Sequence, residues 1–144
     1  LDAVGNRLYQ VPLDLYNRLQ MIFGIPRTQQ LVTLLSNHII QMMNLANAMK
    51  NKNDQTVNSA TQQLYQNSVE ISNYMRQINP LWSDVLWNNL FDQYIRLMIE
   101  DLVALASGNY TNDINVYDRA KYQTAVMSDY MTDGVLQFLT FNQR

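Results

Sequence analysis

The sequence predicts an all-α fold, an up-and-down antiparallel bundle of four long helices preceded by short helical segments. Three observations carry this prediction. Apolar residues return every three or four positions through four successive stretches, the spacing of a helix face and not of a strand. Helix-stopping and helix-capping residues fall between those stretches, at Gly24-Ile25-Pro26, Asn51 to Asp54, Asn79-Pro80 and Gly108. Finally, 144 residues, 47% of them hydrophobic and 10% aromatic, suit one core-forming domain over 1–144, with short helices in 1–26 and the four long helices in 27–144.

Residues 1–24 read as short pieces, with Pro12 at a helix start, where its missing N–H costs nothing, and Leu15, Leu19, Ile22 and Phe23 as a small apolar face. The first long helix opens at Thr28 as N-cap and carries Leu31, Leu34, Leu35, His38, Ile39, Met42, Leu45 and Met49 inward, with Lys50 and Lys52 at its negative end. Asp54 is expected to cap the second, whose stripe is Val57, Ala60, Leu64, Asn67, Ile71, Met75 and Ile78. It stops at Asn79-Pro80, because proline disfavours helix in the residue before it. Ser83 caps the third, with Trp87, Leu90, Tyr94, Leu97, Leu102, Ala104 and Leu105 inward and Gly108 at its end. Thr111 or Asn112 opens the fourth, with Ile114, Tyr117, Thr124, Met127, Met131, Val135 and Phe138 inward and fraying expected around Met131-Thr132-Asp133-Gly134. Helices of about 24 residues would each span about 36 Å.

Composition removes most chemistries. Ten Lys and Arg against twelve Asp and Glu give a net charge of −2, which offers no electrostatic footprint for nucleic acid. The absence of cysteine excludes thiolate nucleophiles, disulfides and Cys/His zinc sites. There is no Gly-Lys-Ser/Thr phosphate loop and no Gly-x-Ser-x-Gly elbow. No apolar run approaches the roughly 18 residues of a membrane span. Polarity instead rests on 17 asparagines and 14 glutamines, with charged residues only 15%. That balance suits an extracellular or cell-surface protein, with the cytoplasm as the alternative.

The one histidine, His38, lies on the buried stripe. A di-iron bundle needs Glu-x-x-His on two helices, and neither Glu70 (followed by Asn73) nor Glu100 (followed by Val103) supplies it. Neither a cofactor nor a metal is expected, and no catalytic set is assigned. The candidate ligand-binding cluster is His38, Asn67, Glu70, Glu100 and Asp129, set against the simpler reading that His38 is hydrogen-bonded within the core. Methionine and tyrosine offer adaptable contact surface, with Tyr9, Tyr16, Met21 and Met43 the candidates for exposure.

Asp14 to Gly24, Asn37-His38-Ile39, Asn67-Ser68-Val69-Glu70-Ile71, Asn79-Pro80-Leu81-Trp82, Gly108-Asn109-Tyr110, Asp113-Ile114, Tyr117-Asp118, Met127-Ser128-Asp129, Gly134-Val135 and Gln137-Phe138 together resemble a family of small bacterial all-helical proteins. Members often carry transferred names such as acetylglutamate kinase or glycosyltransferase, activities that nothing in these residues supports. The resemblance covers nearly the whole chain and implies a helical bundle without an established activity. It also implies a further helix upstream of Leu1 and a histidine where this chain has Tyr94. Without that upstream helix, an apolar groove would need cover from an upstream segment or from a second subunit. The expected function is therefore non-catalytic binding or self-assembly through a covered apolar groove. A ligand- or metal-binding bundle around His38 is the alternative, and an enzyme ranks third.

Overall fold

The computed structural model describes the backbone of residues 2–142 and the side chains of 10–109 and 111–141. Its described residues form five helices and no strand: α1 (Asp2–Phe23), α2 (Ile25–Lys50), α3 (Asp54–Ile78), α4 (Asp84–Ser107) and α5 (Tyr110–Asn142). α2 packs on α3, α3 on α4 and α4 on α5, while α1 lies along α2.

The N-terminal region departs from the expected short pieces. α1 is one helix of 22 residues that runs through Pro12. A proline inside a helix removes one backbone hydrogen bond and crowds the preceding turn, at a cost of about 3 kcal/mol. Here the ring is fully buried, so packing offsets that cost and the helix continues. Gly24, at φ 82°, makes the break between α1 and α2 in a conformation that L side chains rarely adopt.

Two caps also move. α2 begins at Ile25, with Pro26 in its first turn, and Thr28 is buried inside the helix with its hydroxyl donating to the Gly24 carbonyl at 2.9 Å. At α3 the cap is Asn53, not Asp54: its Oδ1 accepts the Thr56 N–H at 3.0 Å, and Asp54 occupies the first turn, where its charge favours the dipole. Ser83 caps α4 as expected, accepting the Leu86 N–H at 3.2 Å, and Gly108 ends it in the left-handed region at φ 71°. α5 starts at Tyr110, one to two residues early, because Asn109 accepts the Asn112 N–H.

The core has two apolar clusters. The larger joins Leu19 and Phe23 of α1, Leu31 of α2, Ile71 to Ile78 of α3, Trp82, and Trp87 to Phe91 of α4, with Met127, Tyr130 and Phe138 of α5 against it. The smaller joins Leu45, Ala60, Leu64 and Ile95.

α5 corrects the expected inward set most strongly. Ile114, Tyr117 and Thr124 face outward, and Leu105 of α4 is also exposed. The buried positions of α5 are Val116, Gln123 and Gly134, with Met127, Met131, Val135 and Phe138 half-buried on the same side. Gln123 is held there by donating to the Leu90 carbonyl at 2.9 Å.

Nor does α5 fray at Gly134. Trp82 lies against the α5 backbone at this point, and a Cβ on Gly134 would fall inside the indole ring. Asn79, fully buried, donates to the Gly134 carbonyl at 2.9 Å and accepts the Leu81 N–H at 3.1 Å, locking the turn between α3 and α4 onto α5. Gly134→Ala is therefore expected to lower stability by at least the roughly 1–3 kcal/mol of an overpacked core. Urea unfolding checks this, and Gln62→Ala at an exposed position of α3 serves as the neutral control.

Candidate functional site

His38 stands seven residues from Leu31 and seven from Leu45, the α2 members of the two apolar clusters. Asn67 falls between Leu64 and Ile71 on α3 in the same way. The two residues meet in the polar layer between the clusters. His38 Nδ1 donates to Asn67 Oδ1 at 2.8 Å, and Asn67 Nδ2 donates to the Leu34 carbonyl at 3.2 Å. Since Asn67 Nδ2 is already used as a donor to Leu34, its Oδ1 faces the ring, and Nδ1 carries the proton.

The imidazole is 5% exposed and lies edge-on to Phe91, with ring centroids 5.5 Å apart; Tyr94 is next to it at 6.5 Å. Its Nε2 is buried without a hydrogen-bond partner. Burial holds the His38 pKa below 6.5, with the Asn67 bond opposing that shift. The ring is thus a neutral, buried group.

Beside this pair, α2 and α3 enclose a cleft of about 300 Å³ lined by Asn37, Gln41, Gln63, Gln66, Asn67 and Glu70. A second hollow of about 290 Å³, which shares Gln63, continues along the same two helices past Asn44, Asn47, Ser59 and Asn53, with Ala48 and Ala60 among its lining residues. Together they form an amide-lined furrow in which Glu70 is the one charged side chain. Gln41 Oε1 is buried there with no partner. The furrow was not anticipated as a site, although its signal is present in sequence as amides at helical spacing on two adjacent helices.

Of the five candidate residues, the structure brings together His38 and Asn67 by a direct bond, and Asn67 and Glu70 through the furrow. Glu100 and Asp129 are engaged elsewhere or point away. Glu100 accepts from Arg119 at 3.0 and 3.1 Å across α4 and α5, beside a cleft of about 540 Å³ that includes Arg96, Asp118 and Tyr122. Asp129 is exposed on α5. Among the described residues no three His, Cys, Asp or Glu side chains gather closely enough to hold a metal ion.

Asp101, near the end of α4, faces Asp113 of α5, and burial together with that neighbour raises its pKa above the ordinary carboxylate range. This pair opposes folding increasingly as pH rises from the unfolded carboxyl value through the raised folded one, because the folded state then has to lose a proton it favours keeping.

Met21 is strongly exposed, as expected of a contact residue, whereas Met43 and Tyr16 are half-buried. The side chain of Tyr9 lies outside the described residues. No helix among the described residues is long and apolar enough to cross a membrane. No family model matches this chain, and neither a curated protein nor a solved structure matches it.

The His38–Asn67 bond yields a double-mutant test. Asn67→Leu leaves the buried Nδ1–H unpaired and is expected to cost about 1–3 kcal/mol, while His38→Leu with Asn67→Leu costs less than the two single changes combined. The depressed pKa adds a pH signature: stability is full above pH 6.5 and falls as pH drops below that value, where only the unfolded state takes up the proton. Urea unfolding between pH 7.5 and 5.5 should show this slope, and His38→Gln should remove it.

Proposed function

We propose that this protein is a non-catalytic helical bundle that works by self-association or by binding a protein partner, in an extracellular or cell-surface setting. Its helices follow one another up and down through the short turns between them. The observation that carries the reading is the outward face of α5. Ile114 and Tyr117 are each 64% exposed and Leu136 is 57% exposed, although Val116, Gln123 and Gly134 of the same helix are buried. Large apolar side chains left exposed on a helix that already buries another side, here set among Asp118, Lys121 and Thr132, are what an interaction site presents. The charge-poor, amide-rich composition supports the extracellular setting. Light scattering on the purified chain over a hundredfold concentration range should show mass rising above the monomer, and a monomer throughout would remove self-association.

A second reading, a ligand-binding bundle, is favoured by the furrow beside His38. Amides present donors and acceptors together, and a groove with a single carboxylate suits an uncharged hydrogen-bonding ligand better than an ion. Titration of the chain with neutral oligosaccharides, followed by NMR, should shift the side-chain amides of Gln41 and Gln63. Shifts spread evenly over the surface would count against a site there.

A further inference from the structure

We propose that the cleft of about 540 Å³ between α4 and α5 binds a free α-amino acid with an apolar side chain, its carboxylate held by Arg96 and its ammonium group by Asp118 and Gln123. This site is separate from the furrow of α2 and α3 and does not depend on self-association.

The cleft has the size of a small-molecule site, for which roughly 300–1,000 Å³ is usual. Gln123 gives it a fixed acceptor. That side chain is 6% exposed, and its Nε2 donates to the Leu90 carbonyl at 2.9 Å, which sets the plane of the amide. Its Oε1 has no hydrogen-bond partner among the described residues and reaches the cleft, whose wall Gln123 shares with Leu97 and Tyr122. A buried amide bonded at one end and open at the other presents its oxygen to a donor on a ligand without further ordering.

The charges select the ligand. Four charged residues line the cleft, Arg96 and Arg119 against Glu100 and Asp118. Glu100 and Arg119 satisfy each other across the two helices. Among the described residues neither Arg96 nor Asp118 has an ion-pair or hydrogen-bond partner, so one cation and one anion are left to a ligand. Asp92, one turn before Arg96, and Lys121, one turn after Asp118, add one charge of each sign and leave that balance unchanged. The Asp101 and Asp113 pair lies nearer the α4–α5 turn than Asp118 and adds negative charge on the side given to the ammonium group.

An anion alone would pair with Arg96 and be opposed by Asp118 and the Gln123 oxygen. A cation alone would gain those acceptors and be opposed by Arg96. A molecule carrying both a carboxylate and an ammonium group satisfies all three, each through a charge-assisted hydrogen bond. Leu97, half-buried, and the exposed ring of Tyr122 supply the apolar wall, and an aromatic ring favours an aromatic side chain on the ligand.

The test titrates the intact 144-residue chain with L-phenylalanine, with 3-phenylpropionate, which lacks the ammonium group, and with phenethylamine, which lacks the carboxylate. L-Phenylalanine should bind saturably at millimolar concentrations or below, shift the Gln123 side-chain amide in NMR spectra, and bind more tightly than either truncated compound. Arg96→Gln and Asp118→Asn alter exposed residues and should keep the wild-type circular dichroism while each weakening L-phenylalanine by about tenfold or more, the loss of one charge-assisted bond. In Arg96→Gln, L-phenylalanine should bind no better than phenethylamine.

Absence of binding at millimolar concentrations would overturn the proposal, and so would equal binding of 3-phenylpropionate, which would mean a plain anion site. Binding that survives both substitutions, or that shifts Gln41 and Gln63 instead of Gln123, would place the ligand elsewhere and reject this cleft.

Discussion

The hydrogen bond from His38 to Asn67 is the constraint on which the arrangement of the first helices depends. Two apolar clusters lie one above the other in this bundle, and apolar contacts alone tolerate sliding of one helix along the next by a turn. A buried polar pair does not tolerate it. Shifting α2 by a turn relative to α3 would leave the Nδ1–H, Asn67 Oδ1 and Asn67 Nδ2 without partners, and each buried orphan costs about 1–3 kcal/mol. The pair thus contributes little net stability and much discrimination against neighbouring registers, the role best attested for single polar residues in helical cores. The neutral form of the imidazole belongs to the same design, since a charged ring between Phe91 and Tyr94 would be buried at far higher cost.

The other half of the bundle is held by a different device. Trp82 sits in the turn before α4, and the absence of a side chain on Gly134 lets it approach the α5 backbone. Around it, Asn79 bonds to the Gly134 carbonyl, the Ser83 N–H donates to the Tyr130 hydroxyl at 2.8 Å, and Trp87 stacks edge-on to Trp82 at 6.0 Å. These contacts fix the rotation of α5 about its own axis. Once that rotation is set, Gln123 is drawn in to the Leu90 carbonyl, and Ile114 and Tyr117 are turned out. The exposure of Ile114 and Tyr117 is thus a consequence of where Trp82 docks.

The sequence made most of α2, α3 and α4 legible because their apolar residues lie on one face each. Leu31, Leu45, Leu64, Ile71, Met75, Trp87 and Leu90 are buried as the spacing predicts, and so are His38 and Asn67. The inward face of α5 is not legible for a physical reason: its apolar residues are spread round the helix, so periodicity allows more than one inward face, and the residues that decide are a glutamine and a glycine. Local chemistry points to a helix start at Pro12, whereas burial of its ring in the assembled structure allows the helix to pass through it. Sequence alone favours Thr28 and Asp54 as caps over Gly24 and Asn53, since neighbouring residues of similar capping strength are not ranked without the chain's direction on entry. Of the candidate cluster, the pair His38 and Asn67 was legible from their shared depth on adjacent helices. The placement of Glu100 and Asp129 depended on α5, and so was not.

The surface follows from the same economy of charge. With 15% charged residues and many amides, the protein presents short-range hydrogen-bonding groups and little long-range field. Charge would therefore steer a partner only weakly, and recognition of one would reside in contacts that form only at close approach. The furrow of α2 and α3 offers such contacts through its amides, and α5 offers them through the exposed Ile114, Tyr117 and Leu136. They lie on different helices, so occupation of one leaves the other open. A bundle in which α2 and α3 are locked by an internal polar bond and α5 by an indole against its backbone keeps both surfaces in fixed geometry without a partner. A surface held in this way loses little conformational entropy on association, and that saving is the means by which a weakly charged face of modest area can still bind.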